Sequence, residues 1–171
     1  MSEQGVQIPE SELRALQARV KRLEDIEEIR QLRALYSIYL DGGWREQGGI
    51  HMGPFQDLFT EDGVWDGRPF AAYAVGRREI YEKIVRGVRP LQNFVIHNLL
   101  NSKIEIDGDT ATGRWQVITP VEPVDGPAML VFGTYHDEYA RTEEGWRFKS
   151  VRAIIARTSV NESGWHKLPE S

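Results

Sequence analysis

The first quarter of the chain shows a helical pattern of apolar positions. Apolar side chains recur at steps of three and four residues, which is typical of an amphipathic helix. Ser11 is a candidate N-cap, and Gly42 and Gly43 are candidate stop signals. The pattern is longer than 25 residues, so it predicts either a break near residues 23–25 or an N-terminal arm that packs on another subunit. The apolar positions are Leu13, Leu16, Val20, Leu23, Ile26, Ile29, Leu32, Leu35 and Tyr36.

The patterns that follow change from helical to extended. "PFQDLFTEDGVWD" predicts a short helix from Pro54, a turn, and a strand that enters at Val64, and "VGRREIYEKIVRG" predicts a second short helix. After Pro90, alternating runs predict four strands, paired around an Asp-Gly-Asp turn and a Glu-Glu-Gly turn. Helices followed by an antiparallel meander predict an α+β fold, with a curved sheet and helices on one face. We expect a flexible N-terminus over residues 1–10 and one domain over residues 11–171.

Composition limits the classes of function. The 171 residues include 40% hydrophobic and 27% charged residues, the net charge is −5, and there is no cysteine. The chain has no run of basic residues that could bind along a phosphate backbone, which argues against nucleic acid as a partner. Its apolar runs are too short to span a membrane. The N-terminus lacks the features of a secretory signal. The absence of cysteine excludes disulfides, thiolate nucleophiles and cysteine metal sites, and fits a cytoplasmic protein.

Four segments of the chain resemble the SnoaL-like branch of the NTF2-like superfamily. They are "RALYSIYLDGG", "FQDLFTEDGVWD" followed by "VGRREIYEKI", "VIHNLLNSKIEIDGDTATGRW" and "GTYHDEYARTEEGWRFKSVR", and they follow the family order from about residue 26 to residue 157. The resemblance implies a cone-shaped α+β fold with a pocket between the sheet and the N-terminal helices. The fold hosts several activities as well as silent binders, so the site must decide the function.

Within that superfamily, the chain is similar to a group that includes scytalone dehydratase, the bile-acid 7α-dehydratase and the lindane dehydrochlorinase. The resemblance implies a catalytic pair in which Asp41 of the first helix bonds His97 of the sheet. It also implies that Tyr36 and Arg152 act in the pocket, and that no metal or organic cofactor is needed. The lysine of the dehydrochlorinases has no counterpart, with Arg33 the nearest cation, which weakens a halide-elimination interpretation.

The chemistry of His97 and Asp41 fits this pairing. An imidazole titrates near working pH, so it can take and return a proton, and a carboxylate on one ring nitrogen fixes the tautomer and stabilises the imidazolium. Strand alternation places His97 on one face with Val95 and Leu99, and Asn98 on the other. The alternative is a structural histidine and an aspartate that merely ends a helix, where the helix dipole disfavours a carboxylate.

Other candidate residues are less specific. Arg152 shares strand parity with Trp146 and Phe148, which predicts that it faces inward, although a structural salt bridge to a residue such as Asp66 would also explain it. Tyr36 could be a core tyrosine or a hydrogen-bond donor. The candidate substrate-binding residues are Tyr39, Trp65 and Tyr135. The remaining histidines, His51, His136 and His166, lack the close spacing of a metal site with His97.

The leading hypothesis is a cofactor-independent lyase, with dehydration as the first choice, acting on a hydrophobic ring-containing small molecule. Isomerisation and aldol cyclisation of the polyketide-cyclase type use the same proton abstraction and stay open. Two alternatives are a ligand-binding module without catalysis and the small subunit of a ring-hydroxylating dioxygenase. We expect a homo-oligomer, a trimer or a dimer, assembled through outer sheet positions such as Leu130 and Phe132.

Overall fold

The fold is a strongly curled seven-stranded sheet with helices on its inner face. The computed structural model describes residues 8–42, 53–70 and 72–165. The strand order is β2-β1-β7-β6-β5-β3, and β4 also pairs with β5. The strands are β1 (Phe59–Gly67), β2 (Ala72–Val75), β3 (Gln92–Val95), β4 (Asn98–Asp107), β5 (Thr110–Pro123), β6 (Ala128–Thr142) and β7 (Gly145–Asn161).

The strand pairings confirm the α+β cone and add one feature to the prediction. Strands β4 to β7 form the predicted meander, with Gly108 and Gly145 at positive φ in its two turns, where a glycine is tolerated best. However, β1 pairs with β7 in parallel, so the sheet is mixed. Strand β1 also begins at Phe59, earlier than predicted, and the short strands β2 and β3 were not predicted as separate elements.

Two longer helical segments accompany the sheet, and short 3-10 turns at Phe55–Leu58, where a short helix was predicted, and at Arg68–Phe70 flank β1. Helix α1 (Glu10–Leu40) is continuous, which rules out the break near residues 23–25, one of the two alternatives that the pattern allowed. Its N-cap residue is Pro9, without a side-chain cap, so Ser11 does not cap it. Helix α2 (Arg77–Ile80) continues as π-helical turns (Tyr81–Val88) and a 3-10 turn (Arg89–Leu91). No helix within the described ranges is long and apolar enough to cross a membrane.

The two halves of α1 differ in burial. The C-terminal half buries Ile29, Leu32, Tyr36 and Leu40 against the sheet. The N-terminal half has its apolar side chains exposed, and its packing on another subunit stays a prediction. The exposed apolar residues of this half are Leu13, Leu16, Val20 and Leu23.

Asp25 fastens α1 to the hairpin of β6 and β7. Asp25 is 3% exposed, and its carboxylate accepts two hydrogen bonds from Arg141, at 2.7 and 2.8 Å, one from Trp146 Nε1 at 3.2 Å and one from Lys21 at 2.9 Å. The hydrogen bonds from Arg141 are the main reason that the pKa of Asp25 lies well below its usual range. The Asp25 carboxylate therefore adds a hydrogen-bonded attachment of the helix to the sheet beside the apolar contacts of its C-terminal half.

We expect Asp25→Asn to lower the free energy of unfolding by about 3 kcal/mol, because it leaves Arg141 without its buried partner. Urea unfolding would measure this loss. The matched control is Asp109→Asn, which removes the other, 83% exposed carboxylate bonded to Arg141 and should cost less than about 1 kcal/mol. Because the folded pKa of Asp25 is depressed, its contribution is complete above its unfolded value of about 3.9 and is lost as the pH falls below that value. Equal losses in the two variants would contradict the prediction.

Candidate active site

The end of α1 and the end of β3 are joined by their backbones. Gly42 donates to the carbonyl of Val95 at 3.0 Å, and Val95 donates back to the carbonyl of Gly42 at 3.1 Å. Asp41, directly before this bridge, has left the helical conformation, with φ −67° and ψ 151°. The bridge therefore fixes Asp41 next to the residues that follow Val95.

Asp41 and His97 are in direct contact. The imidazole Nδ1 lies 2.7 Å from Asp41 Oδ1, and the backbone N–H of His97 donates to the same oxygen at 3.0 Å. Both side chains are nearly buried, at 9% and 11% exposure. These hydrogen bonds offset the unfavourable position of a carboxylate at a helix C-terminus.

The contact determines which ring nitrogen is free. An ionised carboxylate only accepts hydrogen bonds, so Nδ1 carries a proton, and in the neutral imidazole Nε2 then keeps its lone pair. His97 also lines an internal cavity. Nε2 is therefore the ring nitrogen that a ligand in this cavity can use as a base.

We expect two-bond ¹H–¹⁵N correlation spectra to show the Nδ1–H tautomer of His97, because Asp41 accepts that proton. In Asp41→Ala this preference should disappear. His136 serves as an internal control, since its described surroundings hold Arg114 and Arg152 and not a bonded carboxylate. A neutral His97 with its proton on Nε2 and none on Nδ1 would contradict the geometry.

The cavity lies between α1, the α2 segment and the inner face of the sheet. Its volume is about 80 Å³, below the roughly 300 to 1,000 Å³ that is typical of ligand pockets, so a ring enters only if lining side chains rotate. Phe70 lines it and is 45% exposed, which places this ring at the opening. The apolar lining includes Leu40, Ile84, Val117, Val121, Val131 and Ile155.

Three predicted residues line the cavity beside His97. Tyr36 is fully buried, and its hydroxyl oxygen accepts a hydrogen bond from Trp65 Nε1 at 2.8 Å. The ring centroid of Tyr36 lies 5.8 Å from that of Tyr135 and 6.0 Å from that of His97. Burial raises the pKa of both tyrosines, so their hydroxyl groups keep their protons and can act as hydrogen-bond donors.

A buried charge pair lies beneath the two tyrosines. The guanidinium carbon of Arg33 is 4.1 Å from the ring centroid of Tyr36 and 3.9 Å from that of Tyr135. Its Nε lies 3.6 Å from Asp137 Oδ2, and both side chains are fully buried. Burial raises the pKa of Asp137 to about 6, and the Arg33 guanidinium opposes the rise. Arg33 therefore packs against the two tyrosines that line the cavity and does not line the cavity itself.

The prediction that Arg152 faces the pocket is wrong. Its side chain is 62% exposed, and its Nε lies 3.9 Å from Asp66, the structural salt bridge considered as the alternative. Tyr139 pairs with Phe148 whereas Glu138 pairs with Ser150, so Lys149 is an extra residue in β7. This β-bulge reverses the alternation, and Arg152 points outward although Phe148 points inward.

The prediction that Tyr39 lines the pocket is also wrong. Tyr39 borders a separate surface groove with Pro54 and Leu58, and its ring packs over Gly53. Three residues along a helix leave Tyr39 about 60° from Tyr36, which is enough to turn it away from the cavity.

The remaining histidines add no group of ligands to the site. His51 and His166 lie outside the described residues, and His136 lies on β6 with its Nε2 unbonded by described residues. In the described ranges, no cluster of three or more His, Cys, Asp or Glu side chains could hold a metal ion.

Sequence reasoning missed one charged residue of the cavity wall. Arg89 lines the cavity and is only 1% exposed. It follows Val85 by four residues, so a cation occupies a position on the apolar face of the α2 segment. The sequence signal that could have identified Arg89 is a charged residue at an apolar position of this helical pattern.

The curled mixed sheet and its helices define an α+β cone of the NTF2-like class. The chain belongs to the SnoaL-like domain family, whose family model matches residues 21–152. No match to this chain was found among curated proteins.

Solved structures share this fold. A protein of Novosphingobium aromaticivorans assigned as an aromatic ring hydroxylase is 29% identical, with a TM-score of 0.70, covering 81% of this chain and 94% of its own. A protein of the same organism assigned as a scytalone dehydratase is 22% identical, with a TM-score of 0.68 and coverage of 86% and 91%. The hexachlorocyclohexane dehydrochlorinase LinA-type3 of Novosphingobium barchaimii is 21% identical, with a TM-score of 0.72 and coverage of 89% and 99%.

Proposed function

We propose that the chain is a cofactor-independent lyase of the dehydratase type that acts on a hydrophobic, ring-containing small molecule. The observation that carries the proposal is the 2.7 Å contact between Asp41 and His97 Nδ1 at the wall of the cavity. This contact leaves Nε2 as a base in a place from which most water is excluded.

The geometry supports a proton transfer in two stages. His97 Nε2 takes a proton from the carbon next to a carbonyl, and Asp41 stabilises the imidazolium that forms. The electron pair of the broken C–H bond then forms a C=C bond as the C–O bond to a β-hydroxyl group breaks. Tyr36, a protonated donor, gives its proton to the leaving hydroxide, which departs as water, and the imidazolium returns a proton to the tyrosinate.

The lining of the cavity supports a ring-containing substrate. Its walls are mostly aliphatic and aromatic, with Trp65, Tyr36 and Tyr135 able to contact the face or edge of a flat ring. The relative at 29% identity is named for action on an aromatic ring. Trp65 and Tyr135 are accordingly the proposed substrate-binding residues.

The proposal is tested with a panel of one-ring and two-ring β-hydroxy ketones and matched ketones in D₂O, followed by NMR. Loss of water from a β-hydroxy ketone is the expected result. Exchange of the α-proton for deuterium without water loss would replace the dehydratase with an isomerase or cyclase that uses the same base. Binding of panel members without exchange would favour the non-catalytic ligand-binding module.

A further inference from the structure

Arg89 has a bonding arrangement that the fold alone does not explain. It follows the π-helical turns and begins the 3-10 turn Arg89–Leu91 in the cavity wall. Its Nη1 donates to the backbone carbonyl of Gln92 at 2.8 Å, which holds the side chain in place. One of the three guanidinium nitrogens is thus occupied by a hydrogen bond to the backbone.

The other two nitrogens of Arg89 are unsatisfied. Nε and Nη2 are buried and have no hydrogen-bond partner within the part of the chain that the structure describes. Burial lowers the pKa of Arg89, and the Asp41 carboxylate opposes that change, so the two charges influence one another. A buried guanidinium with free donors is costly, and a ligand with an acceptor oxygen would remove that cost.

We propose that Arg89 binds the substrate oxygen that becomes an enolate when His97 removes the proton. The substrate is then a ring-containing carbonyl compound, and this inference rests on the proposed function. The proton moves from carbon to His97 Nε2, and the electron pair of the C–H bond moves through the new C=C bond onto the carbonyl oxygen. The guanidinium provides the positive charge beside that oxygen.

The charges of the site fit this step. Before the transfer, Asp41 is negative, Arg89 is positive and His97 is neutral. After it, the imidazolium lies against Asp41 and the enolate oxygen lies against Arg89, so each new charge has an opposite partner. Arg89 is the permanent cation among the described residues of the lining, and it shares the wall of this cavity with His97.

The inference is tested by binding of an enolate mimic, without turnover. The probes are 4-nitrophenol, whose ionised form is seen by its absorbance, nitrobenzene as the neutral analogue without the phenolic oxygen, and benzoate as a carboxylate. At pH 7 we expect 4-nitrophenol to bind as the anion, about tenfold or more tightly than nitrobenzene. In Arg89→Met the ratio of the two affinities should fall to about one, with nitrobenzene binding retained as the control for an intact cavity.

Arg89→Gln covers the case in which Arg89→Met does not fold, because glutamine keeps an N–H donor for the Gln92 carbonyl, and it should show the same loss of preference. A preference for 4-nitrophenolate that survives in the folded variants would overturn the inference. So would tighter, Arg89-dependent binding of benzoate, which would indicate a carboxylate substrate. If no ketone of the panel reacts but the Arg89-dependent preference for 4-nitrophenolate is observed, the proposed reaction is wrong and the oxyanion site is retained.

Discussion

His97→Ala is expected to lower kcat on the ketone identified in the panel by a factor of about 10² to 10⁴, because the general base is lost. Asp41→Asn should lower kcat by at least about 10² with little change in KM, since the imidazole loses the carboxylate that fixes its tautomer and stabilises its charge. Initial rates of water loss or deuterium exchange measure both effects.

The matched control for the first variant is His136→Ala, which removes an imidazole from the outer side of β6. His136 does not line the cavity, so this variant should keep the kcat of the unmodified protein. Turnover that survives in His97→Ala would remove His97 as the base. Equal losses in both histidine variants would point to a general effect on folding.

Arg33→Met is expected to lower the free energy of unfolding at pH 8 by about 3 to 5 kcal/mol. The substitution leaves the Asp137 carboxylate buried without its cation and removes the contacts of the guanidinium with Tyr36 and Tyr135. Urea unfolding of the two proteins measures the difference, and the double variant Arg33→Met/Asp137→Asn should recover much of it because the isolated charge is gone.

The pH dependence of the stability loss in Arg33→Met provides an independent test. Burial raises the folded pKa of Asp137 and Arg33 opposes the rise, so removing Arg33 raises that pKa further. A carboxyl with a folded pKa above its unfolded value binds protons more readily in the folded protein, so its destabilising effect disappears as the pH falls. The deficit of Arg33→Met should therefore be smaller at pH 5 than at pH 8. A deficit below about 1 kcal/mol at both values would mean that the pair adds little stability.

Local signals predicted most of the sheet and the helix that carries the site. The turns around Gly108 and Gly145 are encoded by short polar segments between alternating strands, and the apolar period of α1 is visible over its whole length. Strands β2 and β3 have four residues each, too few for a clear alternation. The parallel pairing of β1 with β7 depends on the closed cone and has no local signal.

The site was predicted in part. The resemblance singled out Asp41 and His97, but their contact depends on the bridge between Gly42 and Val95, which joins elements more than 50 residues apart. The outward position of Arg152 could not be predicted, because nothing in the local sequence marks Lys149 as an extra residue. Arg89, in contrast, was detectable as a charge on an apolar helix face.

The bulge at Lys149 means that the face on which Arg152 lies is set by how β7 pairs with β6, and it does not follow from residue types alone. Deleting Lys149 would leave Ser150 opposite Glu138 and Arg152 opposite His136, so the Arg152 side chain would stay on the outer face. A chain that kept all three residues between Phe148 and Arg152 but paired each of them with β6 would instead turn the guanidinium to the inner face, adding a second cation to the cavity wall without any substitution. Comparisons of homologues in this segment should therefore establish whether the strand carries the bulge before the arginine is assigned to a pocket.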